Sequence, residues 1–309
     1  MAEGAGLLNR FTVKSRNGGS NPPLSANFQM KLFLLSLIFL APMLADAHGA
    51  LDERIKAVAA QIERATNNAQ LYLQRGELHR EHQDWNAAQS DYDRAEKLDV
   101  RLIRLNFFRA RMFNDMGDAT KGLGLLNNYL AANTNDSEAL ILRARLRAKL
   151  GEGQGAVADF SHAIQLSREP QPEIFLERAE LQVIAGGMDE ALRGLDEGIV
   201  KLGSVMALQA RALDVELSRT NYDGALVRLA RIVESSPRKE MWLARRGEIL
   251  IQAGRVMEAC KAFGDALSVI EALPLQLRES AAMQELHLQL KERLAALDES
   301  LKITLMPAR

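Results

Sequence analysis

Residues Tyr72 to Ala95 read YLQRGELHREHQDWNAAQSDYDRA, and residues Leu243 to Ala266 read LARRGEILIQAGRVMEACKAFGDA. Each begins with a bulky residue four places before a glycine, Tyr72/Gly76 and Leu243/Gly247. Each ends with small, bulky and small residues at i, i+4 and i+7, Ala88/Tyr92/Ala95 and Ala259/Phe263/Ala266. Those spacings put every group on one face of an α-helix. A small residue lets a second helix approach closely, while the bulky one fills the adjoining groove. Both stretches therefore predict a pair of packed helices.

The same marks recur through the chain. An arginine followed by a small residue stands at Arg75, Arg109, Arg143, Arg178, Arg211 and Arg246, in steps of 34, 34, 35, 33 and 35 residues. A small residue returns at Ala88, Gly122, Ala156, Ala191, Ala225 and Ala259. Gly117, Gly151, Gly186 and Gly254 fall between the helices, where a left-handed residue ends the first of them. Pro170, Pro172, Pro237 and Pro274 fall between units, where no helix interior is broken.

A helix–turn–helix period of this length, with small residues at its eighth and twentieth places and an aromatic at its twenty-fourth, resembles the tetratricopeptide repeat. Six units are expected, over 69–102, 103–136, 137–170, 172–205, 205–239 and 240–273. Asn106 stands where a bulky residue is expected, Gly122 replaces alanine, and the fifth unit carries an extra residue, placed in its turn near Thr220. The expected fold is an all-α solenoid, and the resemblance implies a right-handed superhelix. Residues 48–68 are expected to form an N-terminal capping helix, and 274–309 a linker and a C-terminal one striped by Leu286, Leu290, Leu294 and Leu297.

The resemblance further implies a concave groove lined by the first helices. Its basic zone would present Arg104, Phe107, Arg111, Arg145 and Lys149; its apolar zone would present Leu176, Val183, Ile184, Leu213, Leu217, Met241 and Ile251. An extended or helical peptide with an acidic and an apolar segment is the expected ligand. The carboxylate clamp of chaperone-binding members is missing in the first repeat, where Leu73 and Glu77 occupy its places.

Other constellations are read as structural. Arg75 and Arg143 each have an aspartate sixteen residues on, Asp91 and Asp159, so an ion pair between the two helices of a unit is expected. The corresponding places after the other arginines hold Leu125, Gly194, Arg228 and Ala262 and supply no such partner. His79 and His82, with Glu81, suggest a metal-dependent enzyme as an alternative, but two histidines are short of a closed metal site. Cys260, next to Ala259, reads as a packed residue. Phosphate loops and nucleophile elbows are absent, so no catalytic residue and no cofactor is expected.

Aromatic residues make up only 5% and the net charge is -1, which suits helices and gives no reason to expect nucleic acid. Residues 30–47 carry Lys31, an apolar stretch and Ala45-x-Ala47, the pattern of a signal peptide cleaved before His48. The stretch is too short to span a bilayer, so no membrane span is expected in the mature chain. Residues 1–29 are expected to be a disordered or mis-assigned extension, with translation beginning at Met30. The expected protein is a non-catalytic scaffold of the periplasm or exterior that binds other proteins; self-association is the structural alternative.

Overall fold

A computed structural model describes residues 49–305, with side chains described to residue 299. The expectations for residues 1–47, the signal peptide among them, lie outside the described residues. The chain divides into two compact units, the first ending at Asp91 and the second beginning at Tyr92.

The described part of the first unit holds α1 (49–64), α2 (Ala69–Glu81) and the start of α3 (Trp85–Leu98), which runs on into the second. Asn68 caps α2 by accepting the N–H of Gln70. Asp91 on α3 takes two hydrogen bonds from Arg75 on α2, at 2.8 and 2.6 Å, as expected.

The second unit continues with α4 (Leu105–Asp115), α5 (Ala119–Ala132), α6 (Ser137–Lys149), α7 (Gly153–Leu166), α8 (Pro172–Ile184) and α9 (Met188–Leu202). Then come α10 (Met206–Ser218), α11 (Tyr222–Ser235), α12 (Glu240–Gln252), α13 (Val256–Glu271), the short α14 (Leu275–Arg278) and α15 (Ala281–Leu305). The helices pack in consecutive hairpins from α4/α5 to α12/α13, and each second helix also packs on the next first helix. Met283 and Leu290 of α15 are buried with Phe263 and Ile270 of α13, so α15 covers the exposed side of the last hairpin.

Small and bulky residues meet as their spacing requires. Ala144, Ala156, Phe160, Phe175, Ala179, Ala191 and Leu195 share one core and are all buried. The departures have local causes. A Cβ at Gly122 would lie 2.9 Å from Leu146 Cδ1, so alanine there requires the Leu146 side chain to shift. Asn106 is partly buried, and the next residue, Phe107, packs in the core with Tyr129 and Leu140.

Each turn within a hairpin closes with a left-handed residue. Gly117, Gly151, Gly186 and Gly254 have φ between 72 and 82°, and Gln83 and Thr220 take the same place at 62 and 56°. In the fifth hairpin the turn is therefore ordinary, and the extra residue lies in α10. Six residues follow Ala212 within that helix, 213–218, against the five that follow Ala179 in α8, 180–184. One residue is worth about 100° of helix, so α10 must turn about its axis to enter an unchanged turn. Leu213, Val215 and Glu216 face inward as a result.

Candidate functional site

The first helices of the second unit, α4, α6, α8, α10 and α12, carry the groove positions, with Arg104 at the N-cap of α4. Two of them are corrected. Phe107 and Leu213 are 1% and 3% exposed and belong to the core, the first as Leu73 does at the same place of the first repeat, the second because α10 is rotated. A position in a repeat does not fix exposure when the helix around it has shifted.

The basic zone is also unlike its expectation, because Arg104, Arg145 and Lys149 are held by neighbouring helices. Arg104 donates to Glu138 on α6 at 2.6 Å, and Arg145 on α6 donates to both oxygens of Glu177 on α8 at 2.7 and 2.9 Å. Lys149 returns from α6 to the side-chain oxygen of Asn114 on α4 at 2.8 Å, and Arg211 on α10 pairs with Glu180 on α8. Arg104 and Arg111 also lie over the ring of Phe107, at 5.3 and 5.8 Å from its centre. The zone is thus a ladder of cross-links between successive first helices, with cation and anion alternating. Exposed pairs of this kind stabilise by ~0–1 kcal/mol each. An acidic ligand has to displace glutamates to reach the arginines.

Met241 and Ile184 are 57% and 72% exposed. Leu176, Val183, Leu217 and Ile251 are partly buried, each with one side against a core cluster. Ile184 also lines a hollow of about 620 Å³ beside Leu181, Ala185 and the turns of the third and fourth hairpins. Sequence reasoning missed that hollow, since most of its walls read as turn residues.

Of the repeat arginines without an aspartate sixteen places on, Arg109, Arg178 and Arg211 find other acceptors. Arg109 reaches back to Asp93 and Glu96 on α3, at 2.6 and 2.9 Å. Arg178, 6% exposed, donates to Glu197 at 2.6 Å and to the Gly194 carbonyl at 3.2 Å. A Cβ at position 194 would meet Arg178 Nη2 at 2.9 Å, so glycine makes the room. Arg228, in the place of an acid, bonds Glu216 at 3.2 Å and Asp196 at 2.7 and 3.0 Å.

In the first unit, His79 Nε2 lies 3.8 Å from Asp91 and His82 Nε2 3.5 Å from Asp52, so each histidine faces its own carboxylate. No group of three or more His, Cys, Asp or Glu among the described residues is placed to hold a metal ion. Burial, together with the charge of Asp298, pushes the Cys260 thiol above its ordinary range and away from thiolate chemistry. Among the described residues no helix is long and apolar enough to cross a membrane.

No family model and no curated protein matches the chain. Solved structures do. The C-terminal part of a TPR repeat-containing protein from Cytophaga hutchinsonii superposes with a TM-score of 0.57 at 13% identity, covering 77% of this chain and 96% of that one. The fold is that of the tetratricopeptide repeat. A tetratricopeptide repeat protein from Parabacteroides merdae gives 0.47 at 20% identity over 83% of this chain and 98% of its own. PilW, described as a type IV pilus biogenesis factor, gives 0.49 at 15% identity over 62% and 90%. At 13% identity the likeness to the Cytophaga structure speaks for the fold alone.

Proposed function

We propose that this TPR chain is a non-catalytic scaffold of an exported compartment, and that it binds a segment of another protein along the first-helix face of its second unit. The observation that carries the reading is the apolar row that the hairpins leave uncovered, with Met241 at 57% exposure as its most accessible member on α12. Water-exposed methionine on a face already organised by cross-links favours a partner that covers it. The partner's apolar segment makes the contact, and the ion-pair ladder sets the spacing of the helices beneath. A photo-crosslinker at position 241, used in the native envelope, should yield one predominant protein adduct. Met241→Asp should remove that partner from a pull-down while leaving the helical circular dichroism unchanged. Undiminished capture by Met241→Asp would overturn the assignment of this face. Export is tested separately by N-terminal sequencing of protein from cells, where a mature chain that retains residues 30–47 would refute it.

A further inference from the structure

The second halves of α8, α10 and α12 keep one register. Glu180, Asp214 and Glu248 follow one another at steps of 34 residues, and so do Val183, Leu217 and Ile251. Each carboxylate stands three places before its aliphatic residue, about 60° around the helix from it and ~4.5 Å along the axis. The turn of α10 that buries Leu213 is what leaves Asp214 exposed and Leu217 half-buried on this face. Three successive first helices thus present a column of carboxylates beside a column of aliphatic side chains.

The charges of these three helices can be followed one by one. Of the cations, Arg178 is buried in its own hairpin, Arg211 is bound to Glu180, and Arg245 donates to Glu248 at 2.9 Å. Arg246 stands about 140° around α12 from Met241, near Glu258 of α13. Of the carboxylates, Glu216 and Glu240 are buried and bound to Arg228 and Arg238, and Glu177 holds Arg145 with Glu173 beside the pair. Asp214 is exposed, and its carboxylate takes no hydrogen bond or ion pair from a described residue. The outer members of the column, Glu180 and Glu248, each hold a guanidinium; the middle one holds none. The free charge of this part of the face is therefore negative, opposite in sign to the basic zone expected from the sequence. A cation reaches Asp214 without displacing any partner, whereas an anion there meets repulsion.

Resting on the reading of this face as the binding face, we propose that Asp214 is a subsite for a lysine or arginine of the partner, and that the partner's segment is extended and carries this cation next to an aliphatic residue seated on Leu217. The ~4.5 Å between the two contacts matches neighbouring residues of an extended chain. Packed helices lie about 10 Å apart, so a second aliphatic residue, seated on Val183 of α8, stands about three residues away.

The test is fluorescence anisotropy of the full chain with a labelled probe of sequence Gly-Leu-Ser-Ser-Leu-Lys-Ser-Gly, beside the same probe with Glu for Lys. Saturable binding of the lysine probe is expected, with the glutamate probe weaker by about tenfold. Asp214→Lys, a change at an exposed position, should leave the circular dichroism unchanged and reverse that order, so that the glutamate probe binds the tighter. Asp214→Asn should bring the two probes within about twofold of each other. Capture of the partner by Met241→Asp tests the face, and the charge swap tests the cation. Capture lost in Met241→Asp, together with a lysine preference that Asp214→Lys does not reverse, would overturn this proposal and leave the face standing. Equal binding of the two probes, or no saturable binding of the lysine probe, would overturn it as well. Undiminished capture by Met241→Asp would remove the face and this subsite with it.

Discussion

In the third hairpin the acid stands on the second helix: Asp159, 4% exposed, receives Arg143 at 2.8 and 2.7 Å and Arg147 at 2.7 Å, both from α6. In the fifth the order is reversed. Glu216, 7% exposed, stands on the first helix and receives Arg228 from α11 and the side-chain N–H of Asn221 from the turn. The turns differ in the same spirit, with Gly151 left-handed in one and Thr220 in the other. Both hairpins hold an ion pair between their helices and a left-handed residue in the turn. The residues that supply them are interchangeable, at different cost.

That comparison predicts a ranking. Asp159→Ala removes the buried carboxylate that two guanidinium groups share and should lower stability most, by ~3 kcal/mol. Glu216→Ala should cost less, ~2 kcal/mol, because Arg228 retains Asp196. Urea unfolding of the two variants side by side checks the order; equal losses would show that Asp196 does not support Arg228. Smaller effects come from the turns. Gly151→Thr puts a branched side chain at φ 80° and should cost about 1–2 kcal/mol. The converse change, Thr220→Gly, should stabilise by only about 0.5 kcal/mol, because relief of strain is offset by a more flexible unfolded chain. A destabilised Thr220→Gly would mean that the fifth turn depends on its threonine for something other than backbone angle.

The helix pairs were legible because their signal is local: a bulky and a small residue four places apart report the same face wherever the helix sits. The Arg75–Asp91 and Arg143–Asp159 pairs were legible for a related reason, since both partners lie in one hairpin. Arg109 was not, because its acceptors precede it on the previous helix. Nor was the neutralised state of Arg104 and Arg145, whose glutamates come from the following hairpin. Phe107 and Leu213 show the limit from the other side. The place of Phe107 is buried in the first repeat too, as Leu73, and one added residue in α10 turned Leu213 into the core. The hollow beside Ile184 escaped notice because glycine and alanine in a turn look the same whether they bound open space or packed atoms.

Lys201 on α9 donates to the carbonyl oxygens of Ile164 and Ser167, at 2.8 and 3.0 Å, and so closes the end of α7 from the next hairpin. A single ammonium group there fastens one repeat to another through acceptors that no substitution can remove. Its strength lies in its charge, and reagents that acylate amines erase that charge without touching the main chain. Acetylated at this lysine, the chain would keep every helix but lose a rivet between the third and fourth hairpins, the two that together enclose the hollow beside Ile184.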